Sequence, residues 1–383
     1  MRKILITSNT SWFVYNFFRS AIVEFMRDGN KVFVLAPKDD YTQYLIDLGC
    51  IYRKIKICRS GINPHKEYQT LRRMYRVQRN VKPDVLLNFT PKVIIYSTIV
   101  AKFFHIPVVN SIAGLGSIFT EGGVKSMLGK LLLRLTQPMA DHIIFQNPDD
   151  WEIYIKAKLV KKENSSLVHG IGINLKNFKA HASPDDGVVR FVLVARMLKN
   201  KGVVDFVHAA EKVEEHYEIR RLAGFDVPLY EFSLLGFVDE ENPQGIPLAR
   251  LLKWDNQTVV NYLGETNDVY GIVKEQDCVV LPSFYREGIP QCLIEACAMA
   301  KPIITTDNVG CRETVVHNES GYIVNPQSVL ELKEAMIKMI ELTHQSRLNL
   351  GRNGRKKATR DFCHLKVSRH YLSIIEKVSP HPH

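Results

Sequence analysis

The chain has 383 residues, 45% apolar and 24% charged, with 22 Gly and 17 Pro, so a collagen-like, low-complexity or coiled-coil chain is excluded and two or three globular domains are expected. The formal net charge of +11 is unevenly placed: residues 1–170 carry +12, residues 171–351 carry −7 and residues 352–383 carry +6. A uniformly basic nucleic-acid binder would not separate its charge this way, so the asymmetry implies two domains with different partners.

The opening MRKILITSN places only a short apolar run before Ser8, Asn9, Thr10 and Ser11. It reads as a buried first strand, not a secretion signal. The longest apolar region, Asp84 to Asn110, is interrupted by Lys92 and Lys102, so no spanning helix is expected. The cysteines (Cys50, Cys58, Cys278, Cys292, Cys297, Cys311, Cys363) are odd in number and form no CxxC. Neither structural disulfides nor a zinc site is expected, and a reducing cytoplasm fits best.

Along the chain, β-rich runs at 4–7, 32–36, 51–57, 85–88, 108–110 and 142–146 alternate with helical patterns near 14–28, 39–48, 66–80, 92–104, 122–138 and 148–158. The pattern restarts with strands at 189–195, 232–236, 259–263, 278–282 and 302–306, and from Gln327 onward it is helical. Two such series predict an α/β protein of two doubly wound halves. The polar stretch Lys179–Gly187 is the expected boundary, giving domains at 1–180 and 187–361. The basic tail 362–383 is expected to add a last helix to the first domain.

Two segments carry chemistry. In Leu281–Val315 a buried strand, CVVLP, runs into a polar loop, then Gly288-Ile289-Pro290, then the helical run QCLIEACAMA. Pro290 suits a first helical turn, Gly288 permits close backbone approach, and loop amides with a helix N-terminus make an anion site. Glu287 precedes the helix, and Glu295 lies eight residues later on it. The plainer reading is an ordinary strand–loop–helix with solvated glutamates. In the second segment, FVLVARMLKNKGV, a buried strand ends and presents Arg196 and then Lys201. Cations at the carboxyl end of a parallel strand face the crevice where α/β ligands bind, and two of them could neutralise a diphosphate. The plainer reading is two surface cations.

Together these segments resemble the retaining nucleotide-sugar enzymes of glycosyltransferase family 4. Glu287 and Glu295 match that family's Glu-x7-Glu motif, and Arg196, Lys201 and Gly202 match its Arg then Lys-Gly. LGFVDEENP (235–243), YLGETND (262–268) and DNVGCRE (307–313) resemble a bacterial polysaccharide and glycan-assembly branch that uses UDP-activated N-acetylhexosamines or their deoxy relatives. The resemblance is strong over 187–361. Over 1–186 it rests on pattern, at Ile6–Phe13 and Gly114-Leu115-Gly116.

The resemblance implies the GT-B arrangement: two Rossmann-like domains facing across a cleft, an acceptor-binding N-terminal one and a donor-binding C-terminal one. The last helix returns to the first domain. It assigns Arg196 and Lys201 to the donor diphosphate, and Glu287 to the sugar hydroxyls. The amides of Gly288, Ile289 and Pro290 go to sugar and phosphate, Glu295 to the ribose, and backbone near Thr266 to the base. The loop Ser8–Phe13, with Ser11, would cap the phosphates. The catalytic set is Glu287, Arg196 and Lys201. No metal or other cofactor is implied, the chain holds no Asp-x-Asp, and retention of anomeric configuration is expected. One departure stands out: NSIAGLGSIF (110–119) has no His where many relatives place one near the sugar's C6 hydroxyl.

The acceptor side is basic. Arg72, Arg76 and Arg79 share one predicted helix face, and GGVKSMLGKLLLRL (122–135) combines leucines with Lys125, Lys130 and Arg134. Such helices can lie on anionic membranes, although a core-packing helix with a solvated basic face is the commoner outcome. Gly114, Gly116, Ser117, Thr120 and Glu121 are candidate acceptor contacts. The expected partners are a UDP-sugar, an undecaprenyl-diphosphate-linked saccharide and the inner leaflet of an anionic membrane, with no nucleic acid. The rivals are a UDP-sugar epimerase of the same fold, which would turn over donor without acceptor, and a non-enzymatic membrane- or nucleic-acid-binding protein.

Overall fold

A computed structural model describes residues 1–57, 64–115, 124–286 and 288–380. The chain forms two compact units: Met1–Gly172 together with the tail from His364, and Ile173–Cys363.

The first unit alternates strictly. Its elements are β1 Lys3–Thr7, α1 Ser11–Arg27, β2 Lys31–Ala36, α2 Thr42–Asp47, β3 Ile51–Lys54, α3 Pro64–Val81, β4 Val85–Phe89 and α4 Pro91–Phe103, then β5 Val108–Ile112, α5 Val124–Thr136, β6 His142–Phe145, α6 Pro148–Lys156 and β7 Ser165–Leu167. The strands form one parallel sheet in the order β3-β2-β1-β4-β5-β6-β7. Both faces are covered, so the strands read as continuous apolar runs; every residue of β4 is buried. Successive β1 side chains enter opposite layers: Ile4 and Ile6 pack with Phe18, Ile22 and Phe25 of α1, whereas Leu5 packs with Leu86 and Val93. Helix starts are fixed locally: the Thr10 hydroxyl accepts from the Phe13 N–H, and the Asn147 side chain from that of Asp150.

The second unit repeats the plan with β8 Val188–Val194, α7 Val203–Leu222, β9 Leu229–Leu235, α8 Leu248–Gln257, β10 Val260–Tyr262, α9 Val269–Val273, β11 Cys278–Leu281, α10 Gln291–Ala298, β12 Ile303–Thr306, β13 Gly321–Val324, α11 Val329–Glu341 and α12 His344–Asp361. Its parallel sheet runs β10-β9-β8-β11-β12-β13. Strand order therefore reverses between β1 and β4 in one sheet and between β8 and β11 in the other. Each sheet has the switch point at which doubly wound folds bind ligands.

The last helix, α13 (His364–Val378), belongs to the first unit. Tyr371 is buried against Phe18, edge to face at 5.1 Å, and its hydroxyl meets that of Ser111 at 2.6 Å. The basic tail is thus a core element as well as a charged surface.

Some expectations need correction. The first unit ends at Gly172, not near residue 180. Ile173 donates its N–H to the Phe362 carbonyl at 2.7 Å, Phe178 packs on Tyr270, and Ser183 bonds the Asp277 carboxylate at 2.8 Å. Polarity in Lys179–Gly187 marks a surface turn; the apolar residues just before it decide the boundary. Strands β7 and β13 were not anticipated from sequence. β7 reads SSL and β13 reads GYIV, and neither offers a continuous run of apolar residues.

Candidate functional site

The loop after β8 carries Arg196 and Lys201 at the carboxyl end of the second sheet. Arg196 is half-exposed, with its guanidinium 3.2 Å from the Asp239 carboxylate. The Lys201 ammonium lies 5.9 Å from the centre of the Tyr285 ring. Gly202 closes the turn in the left-handed region at φ +76°, and a Cβ there would come within 2.1 Å of the Pro282 carbonyl oxygen. This close approach joins the loops after β8 and β11.

Hydrogen bonds fix the junction. The Asn200 carbonyl accepts from the N–H groups of Phe284 (3.1 Å) and Tyr285 (3.2 Å) and from the Ser283 hydroxyl (3.3 Å). Behind it, Thr306 donates to the Ser283 carbonyl, and Asn308 donates to the carbonyls of Ser283 and Tyr285. The basic loop and the loop leading to α10 are therefore one rigid constellation beside the β8/β11 switch point. Asn200 Oδ1 and Gln291 Oε1, near the start of α10, are buried without a hydrogen-bond partner among the described residues. Buried acceptors left open beside a cationic loop are what a ligand donor would satisfy.

Glu287 lies outside the described residues. Gly288 is half-buried, while Ile289 and Pro290 are buried. Pro290 is the residue before α10 (φ −62°, ψ 127°), not its first helical residue, and its carbonyl accepts from Leu293 and Ile294. Proline has no N–H, so Pro290 cannot supply the amide donor expected of it.

Glu295 sits on α10, where burial pushes its carboxyl from 4.5 up to about 7, partly offset by a hydrogen bond from Gln291. Near neutrality it is divided between proton donor and acceptor forms. Thr266 is exposed on the loop after β10, and its hydroxyl accepts from the Asp268 N–H at 3.0 Å.

Ser11 needs a correction. It is the first residue of α1, fully buried, and its hydroxyl donates to the Pro37 carbonyl at 2.9 Å while accepting from Thr42. Its side chain is therefore occupied. Ser8, just after β1, has a buried hydroxyl without a partner among the described residues. Sequence reading also missed the pairing of Asp239 with Arg196, although Asp239 lies in the LGFVDEENP stretch; a partner 43 residues distant leaves no local signal.

On the first unit, Arg72, Arg76 and Arg79 are all exposed on α3. Lys130 is exposed on α5, and Lys125 belongs to that helix without a described side chain. Gly114 lines a cavity at the ends of β4 and β5. Gly116, Ser117, Thr120 and Glu121 lie outside the described residues. Among the described residues no helix is long and apolar enough to cross a membrane, and no three His, Cys, Asp or Glu side chains are grouped to hold a metal ion.

Two family models match in tandem: glycosyl transferase 4-like over residues 3–147, and glycosyl transferases group 1 over residues 175–357. The chain belongs to the GT4-type glycosyltransferases. A Campylobacter jejuni N,N'-diacetylbacillosaminyl-diphospho-undecaprenol alpha-1,3-N-acetylgalactosaminyltransferase is 26% identical over 98% of this chain and 99% of its own. An Escherichia coli UDP-Gal:alpha-D-GlcNAc-diphosphoundecaprenol alpha-1,3-galactosyltransferase is 26% identical over 78% and 77%. Among solved structures, a Rickettsia africae glycosyltransferase superposes with a TM-score of 0.78 at 15% identity, covering 100% of this chain and 99% of its own. Anabaena HepE in complex with UDP-glucose gives 0.77 at 16%, covering 98% and 100%. These likenesses establish the GT-B fold for this glycosyltransferase.

Proposed function

We propose that this glycosyltransferase moves a sugar, an N-acetylhexosamine or a deoxy relative, from a UDP-sugar to an undecaprenyl-diphosphate-linked saccharide in the building of a surface polysaccharide or glycan. The observation that carries the donor half is the clamped pair of loops at the β8/β11 switch point. It supports a site where Arg196, Lys201 and the amides leading into α10 meet a diphosphate. Breaking the glycosyl–phosphate bond puts negative charge on the departing diphosphate, and fixed cations and amides stabilise it without reorganising. That chemistry calls for no metal or other cofactor. Glu287 would hold the sugar hydroxyls, Glu295 the ribose hydroxyls, and backbone near Thr266 the base. The acceptor hydroxyl attacks the anomeric carbon as the diphosphate leaves on the same face, its proton passing to the departing phosphate oxygen, so the configuration is retained. The acceptor half is supported by the printed activities of the two relatives above, both of which act on undecaprenol-diphosphate sugars.

Peripheral association with the cytoplasmic membrane is part of the same reading. On α5, Met127, Leu131 and Leu135 recur every four residues and stay 67%, 52% and 61% exposed, with exposed Lys130 and Arg134 beside them. The helix carries no acidic residue. Apolar side chains rimmed by cations suit an anionic lipid surface, and Arg72, Arg76 and Arg79 add to the positive field of this unit.

A screen of UDP-sugars against short polyprenyl-diphosphate-sugar acceptors, read as acceptor-dependent UDP release, tests the reaction. Donor turnover to an epimer without acceptor would favour the epimerase, and an inverted product by NMR would reject retention. Sedimentation with anionic liposomes at low salt tests the membrane contact, and Leu131→Glu should abolish it.

A further inference from the structure

At the switch point of the first sheet, the ends of β4 and β5 enclose a cavity of about 110 Å³. Its walls are mostly apolar, with Phe13, Phe89, Ile94, Ile112 and Leu133, and they also include Ser111, whose hydroxyl is taken by Tyr371, and Tyr154. One polar group among the lining has nothing to bond: the Thr90 hydroxyl is buried and without a partner among the described residues.

Thr90 is unusual in two further ways. It is a β-branched residue held at φ +68°, ψ 133°, a conformation such residues rarely adopt and that costs ~1–3 kcal/mol. It also stands directly before α4, where a threonine hydroxyl ordinarily accepts from an N–H of the first turn, yet it makes no such bond. Its carbonyl still accepts from Ile94 at 2.9 Å, so the backbone begins the helix normally while the side chain is withheld from capping. Strain, a missing cap and an unpaired hydroxyl at one residue coincide with the cavity. Folding alone gains nothing from that combination. A ligand completes it.

We infer that this cavity is an acceptor subsite for an acetamido substituent, whose methyl fills the apolar walls while its amide pairs with the Thr90 hydroxyl. The inference rests on the proposed function, which gives this unit the acceptor. Other occupants fit the lining less well. A purely aliphatic group, such as an isoprene unit, leaves the Thr90 hydroxyl unpaired. A sugar hydroxyl can pair with Thr90 but carries no apolar end to cover the aromatic and aliphatic walls. An acetamido group carries an apolar end and a hydrogen-bonding amide within a few atoms. Ala113, also in the lining, is a position from which a larger side chain would intrude.

The test compares two acceptors that differ in one group: a short polyprenyl-diphosphate N-acetylglucosamine and its glucose counterpart. Thr90→Val keeps the shape and removes the hydroxyl, Thr90→Ser keeps the hydroxyl, and Ala113→Leu fills the space. Wild type should prefer the acetamido acceptor. Thr90→Val should cut that preference about tenfold, the worth of one buried hydrogen bond, mainly through KM. Thr90→Ser should retain it and Ala113→Leu should abolish it. Saturation-transfer NMR on the two acceptors gives a second readout that needs no turnover: the acetamido methyl protons should receive the strongest saturation in wild type and lose it in Ala113→Leu. Equal loss on both acceptors in Thr90→Val, or an acetamido methyl unsaturated in wild type, overturns the inference while leaving the proposed function standing. If no acceptor is turned over, the proposed function fails and the NMR comparison still decides whether the cavity takes the group.

Discussion

Replacing Glu295 by glutamine should move stability and donor affinity in opposite directions. Burial lifts this carboxyl from 4.5 to about 7, so the folded chain holds its proton more tightly than the unfolded chain does. Stability is then greatest below 4.5 and falls as pH rises toward 7; above that the carboxylate is charged in both states and the fold carries the full desolvation cost. The gap between 4.5 and about 7, at ~1.36 kcal/mol for each tenfold change in proton affinity, caps that cost at ~3 kcal/mol. Glutamine keeps the shape and never ionises. The variant's advantage should therefore be below ~1 kcal/mol at pH 5 and grow to ~3 kcal/mol at pH 8, read as a later urea transition of the second unit. Donor binding should go the other way. A carboxylate that accepts from ribose hydroxyls binds best when ionised, so UDP affinity in wild type should rise as pH climbs through 7. The glutamine variant should bind about tenfold more weakly at pH 8, the worth of a hydrogen bond to a charged group, and its pH dependence should be flat. Parallel stability profiles for the two proteins, or a Glu295 carboxyl that titrates near 4.5 by carbon-13 NMR, would refute the reasoning.

Three other perturbations check the frame. Gly202→Ala forces a Cβ to within 2.1 Å of the Pro282 carbonyl at φ +76°, so it should cost ~2 kcal/mol or more and weaken UDP binding by parting the two loops, as seen by denaturation and calorimetry. Arg347 meets the fully buried Asp277 carboxylate at 3.1 Å; Arg347→Met removes its ion partner and leaves it the Ser183 hydroxyl and the Arg190 N–H, so it should cost ~3 kcal/mol, whereas the double variant with Asp277→Asn should recover much of it in a double-mutant cycle. Tyr371→Phe removes the partner of the Ser111 hydroxyl on α13, and should lower the melting transition of the first unit by the equivalent of ~1 kcal/mol.

Much of this architecture was legible in the residues. The alternation of apolar runs with helical periodicity located eleven of the thirteen strands among the described residues, because a strand covered on both faces must be largely apolar. The strands that escaped, β7 (SSL) and β13 (GYIV), carry serines and a glycine in place of a continuous apolar run. Arg196 and Lys201 were legible because they follow a buried strand directly. Ser11 misled because a serine beside a strand end reads alike whether its hydroxyl faces a ligand or, as here, the Pro37 carbonyl. Pro290 misled by one residue, since proline suits both the first helical position and the one before it. Thr90 had no sequence signal at all: a threonine before Pro91 reads as an ordinary cap, and only its backbone angles show otherwise.

The charge asymmetry resolves into two ranges of the same force. The proposed donor site stands in an acidic stretch: residues 171–351 sum to −7, yet a diphosphate is proposed beside Arg196 and Lys201. Screening at physiological ionic strength decays over ~8 Å, so acidic residues spread over a domain surface contribute little to a site whose own cations and amides lie within hydrogen-bonding reach. Net charge says almost nothing about that pocket. A lipid surface is different, because it meets many side chains at once and sums their charge over an area. In the proposed membrane contact, the exposed arginines of α3 and Lys130 and Arg134 of α5 would act at that range, where the +12 of residues 1–170 counts. Salt should therefore separate the two: raising it should release the protein from anionic vesicles well before it weakens UDP binding. Equal salt slopes for both would mean that the donor site, too, depends on long-range field and not on the clamped loops.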